Sequence, residues 1–282
     1  MTVKTCTKVN VGLNVLRRRP DGYHDLETLF VPFYGFGDTL TIEPSAQTSI
    51  EIKREGGVDW DPQKDLTMLA WRLLKADFPK LPNVRILLEK HAPVGAGLGG
   101  GSADAAFALR VLRDLGDLPL DNRQLAGYAA RLGSDCAFFI GCPTAQGAPD
   151  AASLQPASEY GIRPMLAGGR GEILEPLDID LSGYELRVTV PEGVSVSTRE
   201  AYGSVVPRDR KATQDKEKWL PLREALKLPA EQWKYCIFND FEEGVFAKYP
   251  QIAALKQQYY DSGAIYAAMS GSGSAVFGLF RK

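Results

Sequence analysis

The chain has 282 residues, 44% of them hydrophobic and 24% charged, with a formal net charge of −2. That length holds one large domain or two modest ones with real cores. The near-neutral balance excludes a global field that would draw the chain to nucleic acid or an anionic membrane. No apolar run approaches the ~20 residues of a membrane span, and the opening MTVKTCTKVNVGLNVL lacks a long apolar stretch and a small-residue cleavage site. A cytoplasmic protein without nucleic-acid or membrane partners is expected. Cys6, Cys136, Cys142 and Cys236 form no C-x-x-C pair, and only His24 and His91 supply imidazole. Reduced thiols and no structural zinc are therefore expected.

In chain order, TKVNVGLNVL alternates and is rich in β-branched residues, so it reads as a strand. RRRPDGYHDL follows, with a turn at Pro20-Asp21-Gly22. DTLTIEP and SIEIKRE are further strands, and together they predict an antiparallel start. LTMLAWRLLKADF has helical spacing through Leu66, Leu69, Leu73 and Leu74. The strand NVRILLEKHAPV leads into a glycine-rich stretch, PVGAGLGGGSADAA, from which a helix runs from Ser102 to about Leu115 and stops at Gly116. DNRQLAGYAARLG is a second helix, with Asp121 as N-cap and Gly133 after its end. SDCAFFIG is short and apolar. Pro143–Tyr160, rich in Ala, Pro and Ser, reads as a surface insertion.

Order resumes with RPMLAGGRGEILEPL. YELRVTVPEGVSVST is a strand with an extended continuation, STREAYGSV a helix, and ATQDKEKWLPLREAL a polar connection with a helix. NDFEEGVFAKYPQIAALKQQYYDSG carries helices interrupted by Pro250, and AIYAAMSGSGSAVFGLF is a strand, a glycine turn and a strand. The fold class is α+β, two-lobed, with mixed or antiparallel sheets and helices packed on them. The division expected is 1–160 and 161–282.

The glycine stretch admits three readings. Gly95-x-Gly97-x-x-Gly100 fits the dinucleotide fingerprint by letters, but HAPV separates it from the strand and no second parallel strand ending in an acid follows. A Walker A loop fails because no lysine precedes Ser102. The third reading is a phosphate cradle. Small residues let phosphate oxygens approach backbone N–H groups, and a helix starting at Ser102 adds its free N–H groups and positive dipole end. The bland alternative is a glycine-rich helix–sheet contact with no ligand.

PVGAGLGGGSADAA resembles the phosphate-binding loop of the GHMP kinases. KVNVGLNV is similar to that family's first motif and MSGSGSAVFGLF to its C-terminal glycine motif. RRPDGYHDLETLF and GSDCAFF narrow the resemblance to members that use ATP to phosphorylate the tertiary 2-hydroxyl of a cytidine diphosphate derivative of methylerythritol, in non-mevalonate isoprenoid synthesis. It spans nearly the whole chain, leaving out residues near 143–160 and 207–220. Another small-alcohol kinase of the mevalonate or homoserine type, or a non-catalytic nucleotide-binding homologue, stands as the alternative.

The resemblance implies roles residue by residue. Asp135 matches the catalytic aspartate that takes or orients the hydroxyl proton; the alternative is a turn or N-cap aspartate. Lys8 matches the catalytic lysine, holding Asp135 ionised and drawing on the reacting oxygens; the alternative is a solvated strand lysine. Pro93, Val94, Gly95, Ala96, Gly97, Leu98, Gly99, Gly100, Gly101, Ser102 and Ala103 would bind ATP, and the Ser102 hydroxyl would face the phosphates or their Mg²⁺. Asn10, on the strand face of Lys8, would contact the substrate hydroxyl. Tyr23 and His24 would hold the cytidine; a core-plugging Tyr23 is the competing reading. Arg17, Arg18 and Arg19 serve a diphosphate or form a solvated turn. Gly271-Ser272-Gly273 would pack under the site, against a plain two-residue hairpin turn, and Gly168–Glu172 would line the substrate side. One departure is Cys6-Thr7 ahead of Lys8, where the family pattern has Pro-Ala. A monomer or homodimer is expected.

Overall fold

The computed structural model describes residues 1–141, 162–211 and 219–282. The Pro143–Tyr160 insertion and part of the polar connection therefore lie outside the described residues. The chain divides into two compact units, one of 1–7, 32–94 and 99–163, the other of 8–31, 95–98 and 164–282.

The first unit holds a four-stranded sheet in the order β1 (Thr2–Lys4), β4 (Thr39–Pro44), β6 (Val84–Glu89), β5 (Ser49–Lys53). β1–β4 and β4–β6 are antiparallel, as the sequence predicts, but β5 runs parallel to β6. Parallel neighbours need a crossover, and helix α1 (Leu66–Asp77) lies between them in sequence. Period-2 alternation puts Leu40, Ile42, Val84, Ile86 and Leu88 on the buried face. Helix α2 (Gly100–Leu115) packs between α1 and the sheet strand β4, and is buried nearly all round from Ala103 to Leu112. The alanines of SADAAFAL suit that central position, where bulkier residues would hold the neighbours off. Helix α3 (Asn122–Leu132) starts with a capping box between Asp121 and Gln124 and ends at Gly133, as its sequence predicts. Helix α4 (Cys136–Ile140) follows, and the buried Arg110 guanidinium donates to its terminal carbonyl at Ile140, at 2.6 Å.

The second unit holds two sheets. One has the order β2 (Thr7–Arg18), β3 (His24–Phe33), β7 (Met165–Gly168), β8 (Ile173–Pro176). The other is antiparallel, with β10 (Tyr266–Met269) and β9 (Tyr184–Thr189) flanking β11 (Val276–Arg281). Helices α5 (Thr198–Ser204), α6 (Leu222–Ala225), α7 (Trp233–Cys236), α8 (Glu242–Lys248) and α9 (Pro250–Asp261) complete it. Pro250 opens α9 at its first turn, where a missing N–H costs nothing. A core of Leu13, Val15, Phe241, Val245, Ile252, Tyr259, Met269, Val276 and Phe280 joins β2, the helices and the β10–β11 hairpin. No helix among the described residues is long and apolar enough to cross a membrane.

Candidate active site

The glycine loop contains two kinds of glycine. Gly95, Gly97 and Gly99 have φ of 70°, 77° and 71°, the left-handed region. Such alternation turns successive N–H groups toward one side and forms anion-binding concavities. A Cβ on Gly97 would lie 2.1 Å from the Ser270 carbonyl oxygen and 3.1 Å from the Gly273 nitrogen, so this glycine is required by close backbone approach. Gly101 is different: it is helical, and a Cβ there would meet no described atom within 4 Å.

Helix α2 begins two residues earlier than its sequence predicts, at Gly100. Its N-cap, Gly99, is left-handed and makes no side-chain cap, whereas N-caps are usually extended residues with a capping oxygen. The Ala103 N–H is satisfied by the Gly99 carbonyl at 2.9 Å. Among the described residues no capping side chain serves the N–H groups of the first turn, at the positive end of a 16-residue helix. That is the donor set an anion needs.

Beside this helix start, the Ser102 hydroxyl hydrogen-bonds the Cys136 thiol, whose pKa burial pushes up to about 12. A Cβ on Gly133 would come 3.1 Å from the Cys136 sulfur and 3.9 Å from Ser102 Oγ. Gly133 thus keeps this corner open. Asp135 occupies the N-cap position of α4, yet its carboxylate makes no capping hydrogen bond.

In the second unit the Lys8 side chain is buried (3% exposed) rather than solvated. Its ammonium donates to Asn10 Oδ1 at 2.5 Å and to the Gly97 carbonyl at 3.0 Å, and lies 5.3 Å from the centre of the Phe30 ring. Asn10 Nδ2 donates to Thr28 Oγ1 at 3.0 Å, and Thr28 donates to the Gly12 carbonyl. Both ends of the Asn10 amide are therefore engaged inside the protein. The Ser270 hydroxyl donates to the Gly97 carbonyl at 3.0 Å and receives the Asn10 N–H at 3.3 Å. Asn239 Nδ2 donates to the carbonyls of Met269 and Gly271, each at 2.8 Å. The C-terminal glycine motif is accordingly not a two-residue turn. Met269 pairs with Val276, leaving Ser270–Ala275 as a loop that packs on the glycine loop, with Ala275 N–H on the Ala96 carbonyl at 3.0 Å.

The RRPDGYH segment is the turn between β2 and β3. Asp21 accepts the Tyr23 N–H at 3.1 Å, and Gly22 is left-handed at 87°. Tyr23 is 55% exposed, which excludes the core-plug reading, and the Arg170 guanidinium sits 4.9 Å from its ring centre. The His24 ring stacks on Tyr202 at 4.8 Å and 23°. Burial, with a smaller push from Arg18, lowers the His24 pKa below 6.5. Arg17 pairs with Asp25, and Arg19 with Asp21 and Asp25. A cleft of about 800 Å³ is lined by Arg17, Arg19, Asp25, Glu27, Gly168 and Gly169, which brings the Gly168–Glu172 loop beside the arginine turn.

Sequence reasoning missed Thr28, Phe30, Asn239, Ser270 and Tyr202, which hold Lys8, Asn10, the C-terminal glycine loop and His24. It also missed a buried charge cluster in the first unit. The Lys90 ammonium donates to Asp38 and, at 2.6 Å, to Asp104. Burial raises the Asp104 pKa against the pull of Lys90 and with that of Asp38. Burial opposes the Lys90 charge, but the two carboxylates outweigh it and raise that pKa too.

The uncapped start of α2 suits nucleotide phosphates. No group of three or more His, Cys, Asp or Glu able to hold a metal occurs among the described residues. The Ser102 hydroxyl is an oxygen donor in the first turn of α2, and it bonds the Cys136 thiol. One hydroxyl fits a Mg²⁺ held mainly by phosphate oxygens and water.

Comparison with known proteins gives the class of the chain, a phosphotransferase. The GHMP kinases N terminal domain matches residues 65–142 and the GHMP kinases C terminal domain matches residues 213–282. A 4-diphosphocytidyl-2-C-methyl-D-erythritol kinase of Bacteroides fragilis is 43% identical over 97% of this chain and 89% of its own length. One from Cytophaga hutchinsonii is 40% identical over 97% and 90%. A crystal structure of 4-(cytidine 5'-diphospho)-2C-methyl-D-erythritol kinase, 33% identical, superposes with a TM-score of 0.74 over 99% of this chain and 90% of that one. A mevalonate kinase structure, 12% identical with a TM-score of 0.63, shares the fold alone. The chain belongs to the GHMP kinases and, within them, to the 4-diphosphocytidyl-2-C-methyl-D-erythritol kinase family.

Proposed function

We propose that this protein transfers the γ-phosphoryl group of ATP to the 2-hydroxyl of 4-diphosphocytidyl-2-C-methyl-D-erythritol, giving the 2-phosphate and ADP in isoprenoid precursor synthesis. The observation that carries the reading is the buried Lys8 ammonium, fixed by Asn10 Oδ1 and the carbonyl of Gly97 in the glycine loop itself. Burying an ammonium is costly, and this one is held against the loop where phosphate charge would develop.

Phosphoryl transfer rests on positioning and charge stabilisation. The backbone N–H groups of Gly99–Ala103 receive the phosphates, and Pro93–Leu98 shape the approach. The tertiary hydroxyl attacks the γ-phosphorus, its proton passes to the Asp135 carboxylate, and ADP leaves. Lys8 offsets negative charge developing on the transferred group, and Asn10, with its amide engaged by Lys8 and Thr28, keeps the ammonium aimed. Tyr23 offers an exposed ring face and His24 a neutral imidazole for the cytidine. Mg²⁺, with Ser102 as its protein oxygen, would neutralise phosphate charge. The proposal includes an N-terminal nucleotide-binding part (1–160) and a C-terminal part (161–282), a cytoplasmic location, a monomer or homodimer, and no nucleic-acid or membrane partner.

A coupled ADP-release assay with ATP, Mg²⁺ and the cytidyl substrate tests it. We expect turnover, and at least a ~10²-fold loss of kcat in Asp135→Asn and Lys8→Ala with the fold intact. Turnover of mevalonate or homoserine, with none of the cytidyl substrate, overturns the substrate assignment. Near wild-type rates in either variant overturn the roles.

A further inference from the structure

We propose that Asp38 and Asp104 are positioning residues for the glycine loop: with Lys90 they staple the chain on both sides of it and aim the first N–H groups of α2 at the nucleotide. The inference rests on the nucleotide reading of that loop given above.

The staple has one arm on each side. Ahead of the loop, Asp38 Oδ1 accepts the N–H groups of His91 and Ala92, at 2.6 and 2.7 Å, and its other oxygen takes the Lys90 ammonium. Those two N–H groups lie just past the end of β6, where the chain leaves the sheet and loses its ladder partners. Beyond the loop, Asp104 stands in the second turn of α2 and accepts the same ammonium at 2.6 Å. The Thr5 hydroxyl closes the ring, donating to Asp104 at 3.1 Å and receiving the Asp38 N–H at 2.9 Å. The cluster lies against the first residue of the helix, since a Cβ on Gly100 would be 3.9 Å from both Asp38 Oδ2 and Lys90 Nζ.

Stability alone does not explain this arrangement. Two carboxylates and one ammonium are buried together, with side-chain exposures of 0%, 2% and 4%. Hydrophobic groups of the same volume generally serve stability as well or better. What ions and directed hydrogen bonds add is a single geometry. Helix α2 needs that from elsewhere because its own N-cap supplies no side chain. Neither carboxylate reaches the surface, so neither contacts a ligand. Both act through Lys90 and the backbone.

The test compares Asp38→Asn and Asp104→Asn with Ile252→Ala, a core truncation in the second unit. ADP affinity is read by calorimetry, and the KM for ATP, the KM for the cytidyl substrate and kcat are read at steady state. We expect at least a tenfold rise in the ADP Kd and the ATP KM in both carboxamide variants. The cytidyl KM stays within twofold and kcat within threefold, and hydrogen exchange quickens across residues 91–104. Ile252→Ala lowers the melting temperature without moving the nucleotide constants. Thr5→Val removes only the hydroxyl that joins the two arms and serves if a carboxamide variant does not fold; a rise of at least threefold is expected. Nucleotide constants within twofold of wild type in the folded variants, or shifted equally by Ile252→Ala, overturn the inference. A wild-type protein that binds no ADP and turns over no substrate removes the underlying nucleotide reading, a separate and distinguishable result.

Discussion

Replacing Gly101 by alanine separates what the fold requires from what the ligand requires. Gly101 is helical, its φ is not left-handed, and a Cβ there meets no described atom within 4 Å. Alanine is favoured over glycine in a helix by about 0.5–1 kcal/mol. For a chain of this size that raises the melting temperature by about 1–4 °C. The same open space is where phosphate oxygens would approach the backbone. A methyl group there lengthens or breaks one charge-assisted hydrogen bond, a loss of about 1.5–3 kcal/mol. At 1.4 kcal/mol per factor of ten, the KM for ATP rises about 10- to 100-fold. Differential scanning fluorimetry without ligand and steady-state kinetics with varied ATP read the two effects. A variant that is stabilised yet keeps the wild-type KM for ATP would falsify the placement of phosphate over Gly101. One that is destabilised would show that the glycine serves the fold.

Gly97→Ala should behave in the opposite way. The left-handed φ costs alanine about 1–2 kcal/mol, and the 2.1 Å approach to the Ser270 carbonyl forces apart two hydrogen bonds to the Gly97 carbonyl, for a total of at least ~3 kcal/mol. An unfolding free energy from urea titration within ~0.5 kcal/mol of wild type contradicts it. The chain has two histidines, so NMR can follow His24 directly; its imidazole should titrate below 6.5, and Arg18→Ala should bring the midpoint partway back. A midpoint at or above 6.5 rules out the stacked, half-buried ring. Asp104 has a raised folded-state pKa, so its contribution to stability is full below the unfolded carboxyl value and is lost as pH rises through the raised one. Denaturation midpoints between pH 4 and 8 should therefore fall more steeply with pH in wild type than in Asp104→Asn; parallel slopes contradict the shift.

Local features are the ones legible in the sequence. The caps of α3 at Asp121 and Gly133, the start of α9 at Pro250 and the turn at Asp21-Gly22 each depend on a few neighbouring residues, and each is found where the residues place it. The parallel pairing of β5 with β6 was not legible, because alternation along a strand says which face is buried but not which way the partner runs. The same limit applies around Lys8. Its strand and its companion Asn10 are two residues apart and readable, whereas Ser270 lies 260 residues from Asn10. Thr28, Asn239 and the Asp38–Lys90–Asp104 cluster carry no spacing that marks them as partners. Burial decided their roles: a lysine and two aspartates that composition alone would leave on the surface are enclosed.

The two classes of glycine in the loop also bear on how this chain changes over evolutionary time. A descendant released from nucleotide binding would feel no pressure to keep Gly101 and would gain stability by exchanging it. Gly97 would stay, because the close approach of Ser270 persists whether or not a nucleotide binds. Among diverged copies, an intact Gly97 with a substituted Gly101 would mark a lineage that has kept the architecture and given up the reaction.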